Sequence, residues 1–114
     1  MKEINIIFEI KNKENPYLYK GIATIENNII RYKDDNSKVL FDITRNILIK
    51  KDEEKKIRID FNNELKKIKT NSFEFDYDKE VLEIKKEKNL NKIIYKIDKE
   101  KIEMNIKITG GSYE

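Results

Sequence analysis

Ile4, Ile6, Phe8 and Ile10 take every second position of KEINIIFEIK, with Glu3, Asn5 and Glu9 opposite them. Side chains of an extended chain point to alternate faces, so this beat of two predicts a half-buried strand over residues 2–11. Asn15-Pro16 breaks the run, and a second strand follows over 17–26. Tyr17, Tyr19, Gly21, Ala23 and Ile25 share one of its faces, and Leu18, Lys20, Ile22, Thr24 and Glu26 share the other. Asn27-Asn28 predicts a two-residue turn, because Asn tolerates the left-handed backbone that tight hairpins need. A third strand is expected over 29–33, then a turn at Asp34-Asp35-Asn36-Ser37 and a strand through Val39, Phe41 and Ile43. Arg45-Asn46 turns into Ile47-Leu48-Ile49, and Asp52-Glu53-Glu54 turns into KKIRIDF. In that segment Ile57, Ile59 and Phe61 alternate with Lys56, Arg58 and Asp60.

The second half keeps the beat. Short strands are predicted around Leu65 and Ile68, at Phe73, Phe75 and Tyr77, and over 81–85. Two longer ones follow, through Ile93, Tyr95 and Ile97 and through Ile102, Met104, Ile106 and Ile108. Residues 78–92 also suit an amphipathic helix, being rich in good helix formers. Leu82 and Ile84 continue the period of two, which favours a strand. Roughly ten short strands separated by regular turn signals predict an all-β protein. The expected architecture is an antiparallel, up-and-down meander of about 8–10 strands closing into a barrel, since closure removes the edges that recruit other chains. One domain over 1–109 with a short tail at 110–114 suits 114 residues.

Charge changes this picture little. Charged residues make up 41% of the chain, but 25 Lys and Arg against 22 Asp and Glu leave a formal +3, so the field is mixed. Such balance argues against a dedicated polyanion binder. The basic clusters Lys50-Lys51, Lys55-Lys56, Lys66-Lys67-Lys69, Lys85-Lys86-Lys88 and Lys92 are interleaved with acids and read as a solvated face. Lys20-Gly21-Ile22-Ala23 opens like an RNA-binding strand but has Ile where a stacking ring is needed, which argues against nucleic acid.

Candidate chemistry is narrowed by what the chain lacks. With no cysteine and no histidine, thiol nucleophiles, imidazole acid–base catalysis and ordinary zinc sites are unavailable to it alone. Absence of cysteine fits a reducing cytoplasm. The start lacks the unbroken apolar run of a signal peptide. No stretch approaches the roughly eighteen apolar residues that span a membrane. Asp34-Asp35-Asn36-Ser37 resembles a calcium loop, but Lys38 stands where a third oxygen ligand belongs, so a hairpin turn is the better reading. No metal site and no cofactor are expected.

The interior is the remaining place for function. Tyr17, Tyr19, Tyr32, Tyr77 and Tyr95 lie among inward aliphatic residues, and buried tyrosine hydroxyls need partners. They can converge on a ligand or cap the barrel ends with their hydroxyls in water. Gly21 and Ala23 leave room on the same face; Gly21 also suits a bend that helps the sheet curl. Arg31, one of three arginines, offers a planar fork for a carboxylate or phosphate. An exposed ion pair explains it equally well.

The run GIATIENNIIRYKDD, followed by KVLFDITRNILIKK, KKIRIDF, SFEFDY, VLEIKK, IIYKID and KIEMNIKI, resembles the YwiB-like family of small bacterial proteins. That resemblance implies a calycin-like, lipocalin-type β-barrel and supplies no catalytic residues. The expectation is a non-catalytic cytoplasmic protein, monomer or homodimer, holding a small apolar or amphiphilic ligand in its barrel. Tyr17, Tyr19, Arg31, Tyr32, Tyr77 and Tyr95 are the candidate ligand-binding residues. The alternative is a module that binds a protein or RNA through its charged outer surface.

Overall fold

The computed structural model describes residues 2–14, 16–35, 37–53, 56–62, 67–69, 74–76, 79–97 and 99–110; of 67–69, 74–76 and 79 only the backbone course is described. Among these residues eleven antiparallel strands form one curled sheet, a half-barrel. They are β1 (Lys2–Lys11), β2 (Tyr17–Glu26), β3 (Ile29–Asp34), β4 (Ser37–Asp42), β5 (Ile47–Lys51) and β6 (Lys56–Asp60). The remainder are β7 (Lys67–Lys69), β8 (Glu74–Asp76), β9 (Lys79–Glu87), β10 (Leu90–Ile97) and β11 (Glu100–Gly110). No helix among the described residues is long and apolar enough to cross a membrane.

The meander expected from the period of two is therefore present, and residues 79–97 form a β9–β10 hairpin in place of a helix. Asn27 and Asn28 both take positive φ, 53° and 62°, as a tight hairpin turn requires. Asp35 does the same at 47°, inside a hairpin closed by Asp34 opposite Ser37. β11 runs through Gly110, one residue further than the pattern predicts.

Spatial order follows chain order around the sheet, β8 through β1 and then β11, β10 and β9. β1 thus lies between β2 and β11, and no ladder joins β8 to β9 among the described residues. The sequence predicts a closed barrel; the observed sheet has one seam. On the concave side Lys86 of β9 donates its amine to the carbonyl of Ile43, tying this edge strand to the β4–β5 turn.

The concave face is the core. Ile4, Ile6 and Phe8 of β1 sit beside Ile106 and Ile108 of β11, and Ile30, Phe41, Leu48 and Ile59 form a buried cross-strand row over β3–β6. Burying each such side chain contributes about 1.5–3 kcal/mol, which is what fixes the register. The register also decides the short β5 strand: Leu48 points inward, while Ile49 lies opposite Leu40 and Arg58 on the outer face.

Candidate functional site

β2 and β3 are bonded only from Thr24–Arg31 to Glu26–Ile29, although both strands run further. Beyond Thr24 they part, and aromatic rings fill the wedge on the concave side. Tyr19 of β2 stacks on Tyr32 of β3 with centroids 4.0 Å apart and planes 14° from parallel. Phe8 of β1 presents edge contacts to Tyr17 at 5.8 Å and Tyr32 at 5.9 Å. Such ring pairs contribute about 0.5–1.5 kcal/mol beyond the area they bury.

The hydroxyls in this cluster are largely committed. Tyr17 donates to Asp34 Oδ2 at 2.8 Å. Its oxygen lies 2.9 Å from that of Tyr32. Since Tyr17 has given its single proton to the carboxylate, Tyr32 donates to Tyr17. Tyr19 folds back to donate to the carbonyl of Ile22 at 2.7 Å. The room that Gly21 leaves is taken by that same ring, because a Cβ on Gly21 would lie 2.8 Å from the Tyr19 hydroxyl.

Burial, with a smaller contribution from Asp34, pushes the Tyr17 hydroxyl up to about 12. Burial and then the hydrogen bond to Tyr17 raise Tyr32 as well. Tyr17 and Tyr32 therefore keep their protons, and with them this chain of hydrogen bonds, at ordinary pH.

Beside the cluster lies a cavity of about 240 Å³. Phe8, Ile10, Val39, Leu48 and Ile102 supply apolar wall, and Tyr17, Tyr32, Tyr95, Asn12 and Lys50 supply polar atoms. Lys50 belongs to the inner row Tyr32–Val39–Lys50–Ile57, and its amine stands 5.0 Å from the centre of the Tyr17 ring. Tyr95 is 3% exposed and packs on Phe61 at 4.9 Å. Its hydroxyl makes no hydrogen bond among the described residues, and burial pushes it up to about 12.

Of the predicted site residues, Tyr17, Tyr19, Tyr32 and Tyr95 gather at this concave mouth. Arg31 lies on the opposite face of β3, opposite Thr24 and Leu40. Tyr77 lies outside the described residues. Lys50 is the site residue that sequence reasoning missed; grouped with Lys51 as a basic pair, it points the other way because adjacent strand residues face opposite sides. Among the described residues no three acids stand together where they could hold a metal ion.

In fold the chain is similar to the ywiB protein from Bacillus subtilis. That crystal structure superposes with a TM-score of 0.44 at 15% identity, over 97% of this chain and 92% of that one. No protein-family model matches the chain, and no curated protein matches it.

Proposed function

We propose that the half-barrel is a non-catalytic binding module, calycin-like in kind, whose concave mouth holds a small ligand with an apolar body and one acidic end. The observation that supports this most directly is the Tyr95 hydroxyl, carried by a buried ring on the cavity wall and making no hydrogen bond among the described residues. A ligand oxygen that accepts from it adds roughly 0.5–1.5 kcal/mol net. Lys50 at the rim supplies charge for a carboxylate, and the Tyr17–Tyr32–Asp34 chain holds the ring wall in place without itself being free to bind. A volume of about 240 Å³ is just below the usual range for ligand pockets, which sets the size class at a short aliphatic or single-ring acid.

Thermal melting with hexanoate and benzoate tests this reading. The wild-type midpoint rises with ligand concentration, as binding to the folded state alone requires. Leu48→Phe fills the cavity and removes the shift; an equal shift in that variant places binding elsewhere and sinks the proposal.

A further inference from the structure

The outer face of the same strands carries a second feature. Lys33 lies directly opposite Lys38, Lys38 opposite Lys51, and Lys51 opposite Lys56. Directly opposed residues of antiparallel strands share a face, so four ammonium groups form one row across β3–β6. With strands about 4.8 Å apart the row is roughly 14 Å long. All four side chains are exposed, and none makes an ion pair among the described residues. Like charges placed opposite one another destabilise a sheet.

Elsewhere on the outer face opposed lysines also occur, Lys85 with Lys92 and Lys96 with Lys101, but the first pair has acids beside it. Glu103 lies 3.4 Å from Lys11 and 3.8 Å from Lys92, and Lys85 lies 3.1 Å from Glu87. Two acids further along these strands on the same face are committed elsewhere. Asp42 accepts from the backbone of Thr44 and Arg45, and Asp60 accepts from the backbone of Asn62.

The next row inward from the lysines reads Arg31–Leu40–Ile49–Arg58, two aliphatic residues between two guanidinium groups. Ile22, 56% exposed on β2, extends the apolar part. Arg31, Leu40, Ile49, Ile22 and the lysines line a groove of about 630 Å³, within the range of small-molecule pockets. No aromatic side chain stands in either row, and the one aromatic residue along the groove, Tyr32, has its ring stacked on Tyr19, so neither row offers the stacking platform that single-stranded nucleic acid uses.

We infer that this groove binds a single-chain anionic amphiphile, with a multiply charged head such as a phosphate monoester on the lysine row and its chain over Leu40, Ile49 and Ile22. The head needs several cations because its charge exceeds one, and the row offers four within its reach. The chain needs an apolar floor beside the cations, which the Arg31–Arg58 row provides. Three apolar side chains in a short strip match the width of one alkyl chain, which favours a monomeric amphiphile over a bilayer surface.

Calorimetric titration with dodecyl phosphate, inorganic phosphate and dodecyl maltoside separates head from chain. Dodecyl phosphate is expected to bind at least ten-fold tighter than either partial probe, and to weaken as salt is raised. Lys38→Glu/Lys51→Glu is expected to weaken it at least ten-fold while raising the melting temperature by about 2–5 °C, because a repulsive row becomes an alternating one. Lys101→Glu/Lys107→Glu on β11 changes net charge equally and is expected to retain binding. The inference is overturned if inorganic phosphate or the maltoside binds as tightly, if both double variants weaken binding equally, or if anionic vesicles are bound and the monomeric amphiphile is not.

Discussion

Three of the four described tyrosines at the concave mouth have their hydroxyls bonded to neighbours, whereas four lysines on the convex side of nearly the same strands stand in a row with no ion pair among the described residues. The difference follows from what surrounds each face. Inside, water compensates a polar atom poorly, so Tyr17, Tyr32 and Asp34 satisfy one another, and of this cluster and its cavity wall the Tyr95 hydroxyl is left without a hydrogen bond among the described residues. Outside, water solvates each ammonium, so a like-charge row costs little and can persist. An unpartnered group is therefore informative for opposite reasons on the two sides: inside because it is costly, outside because the surrounding surface shows that pairing was available.

Breaking the inner side has the larger expected effect. Phe8→Ala removes the ring that both Tyr17 and Tyr32 lean on and is expected to cost about 3–5 kcal/mol, read as a fall in the urea midpoint. A loss under 1 kcal/mol would mean that the aromatic wedge is not part of the core.

Tyr17→Phe comes next, at about 1–2 kcal/mol, because it leaves a carboxylate and a second hydroxyl without their partner. The same residues set an alkaline limit. The ordinary tyrosine value is 10.0, and Tyr17 and Tyr95 are both raised to about 12. Below pH 10 folded and unfolded chains both keep these protons and the stabilisation is complete. Between pH 10 and about 12 the unfolded chain releases protons that the folded chain retains, so stability falls as pH rises. Urea midpoints at pH 9, 10, 11 and 12 are expected to be flat at first and then to drop, with a shallower drop in Tyr17→Phe. An unchanged slope in that variant would remove Tyr17 from the account.

The smallest effect sharpens the outer side. Raising salt from 0.1 to 1 M shortens the screening length from about 10 to about 3 Å. The stability gap between wild type and Lys38→Glu/Lys51→Glu is then expected to close by a few tenths of a kcal/mol, measured by paired melts. A gap that salt leaves intact would mean that the lysines do not repel one another.

Much of the inner face was legible in the sequence because a period of two needs no knowledge of register. Ile57, Ile59 and Phe61 were readable as the inner wall of KKIRIDF, and Ile59 and Phe61 are buried there. Tyr17, Tyr19, Tyr32 and Tyr95 likewise announce a shared face by phase alone. The outer row was hidden because it is spread over 24 positions of chain, from Lys33 to Lys56. Lysines grouped by adjacency, such as Lys50-Lys51, are divided between the faces, while lysines that mirror one another across turns are brought together. The available signal was that mirror symmetry, readable once each turn centre is placed. The β2–β3 wedge has no local signal, since it depends on how sheet curvature is shared between neighbouring ladders.

The pairing of β1 with β11 has a consequence for how the molecule assembles. Every other ladder among the described residues joins strands that are neighbours along the chain, so each can form as a local hairpin at small entropic cost. The β1–β11 ladder alone must close a loop of nearly the whole chain, and it lies in the middle of the sheet, where Ile6 and Phe8 need β11 to be covered. Folding speed is therefore governed by one late, long-range event. Joining β11 to β1 and opening the chain at the β8–β9 seam would leave every ladder in place and make all of them local.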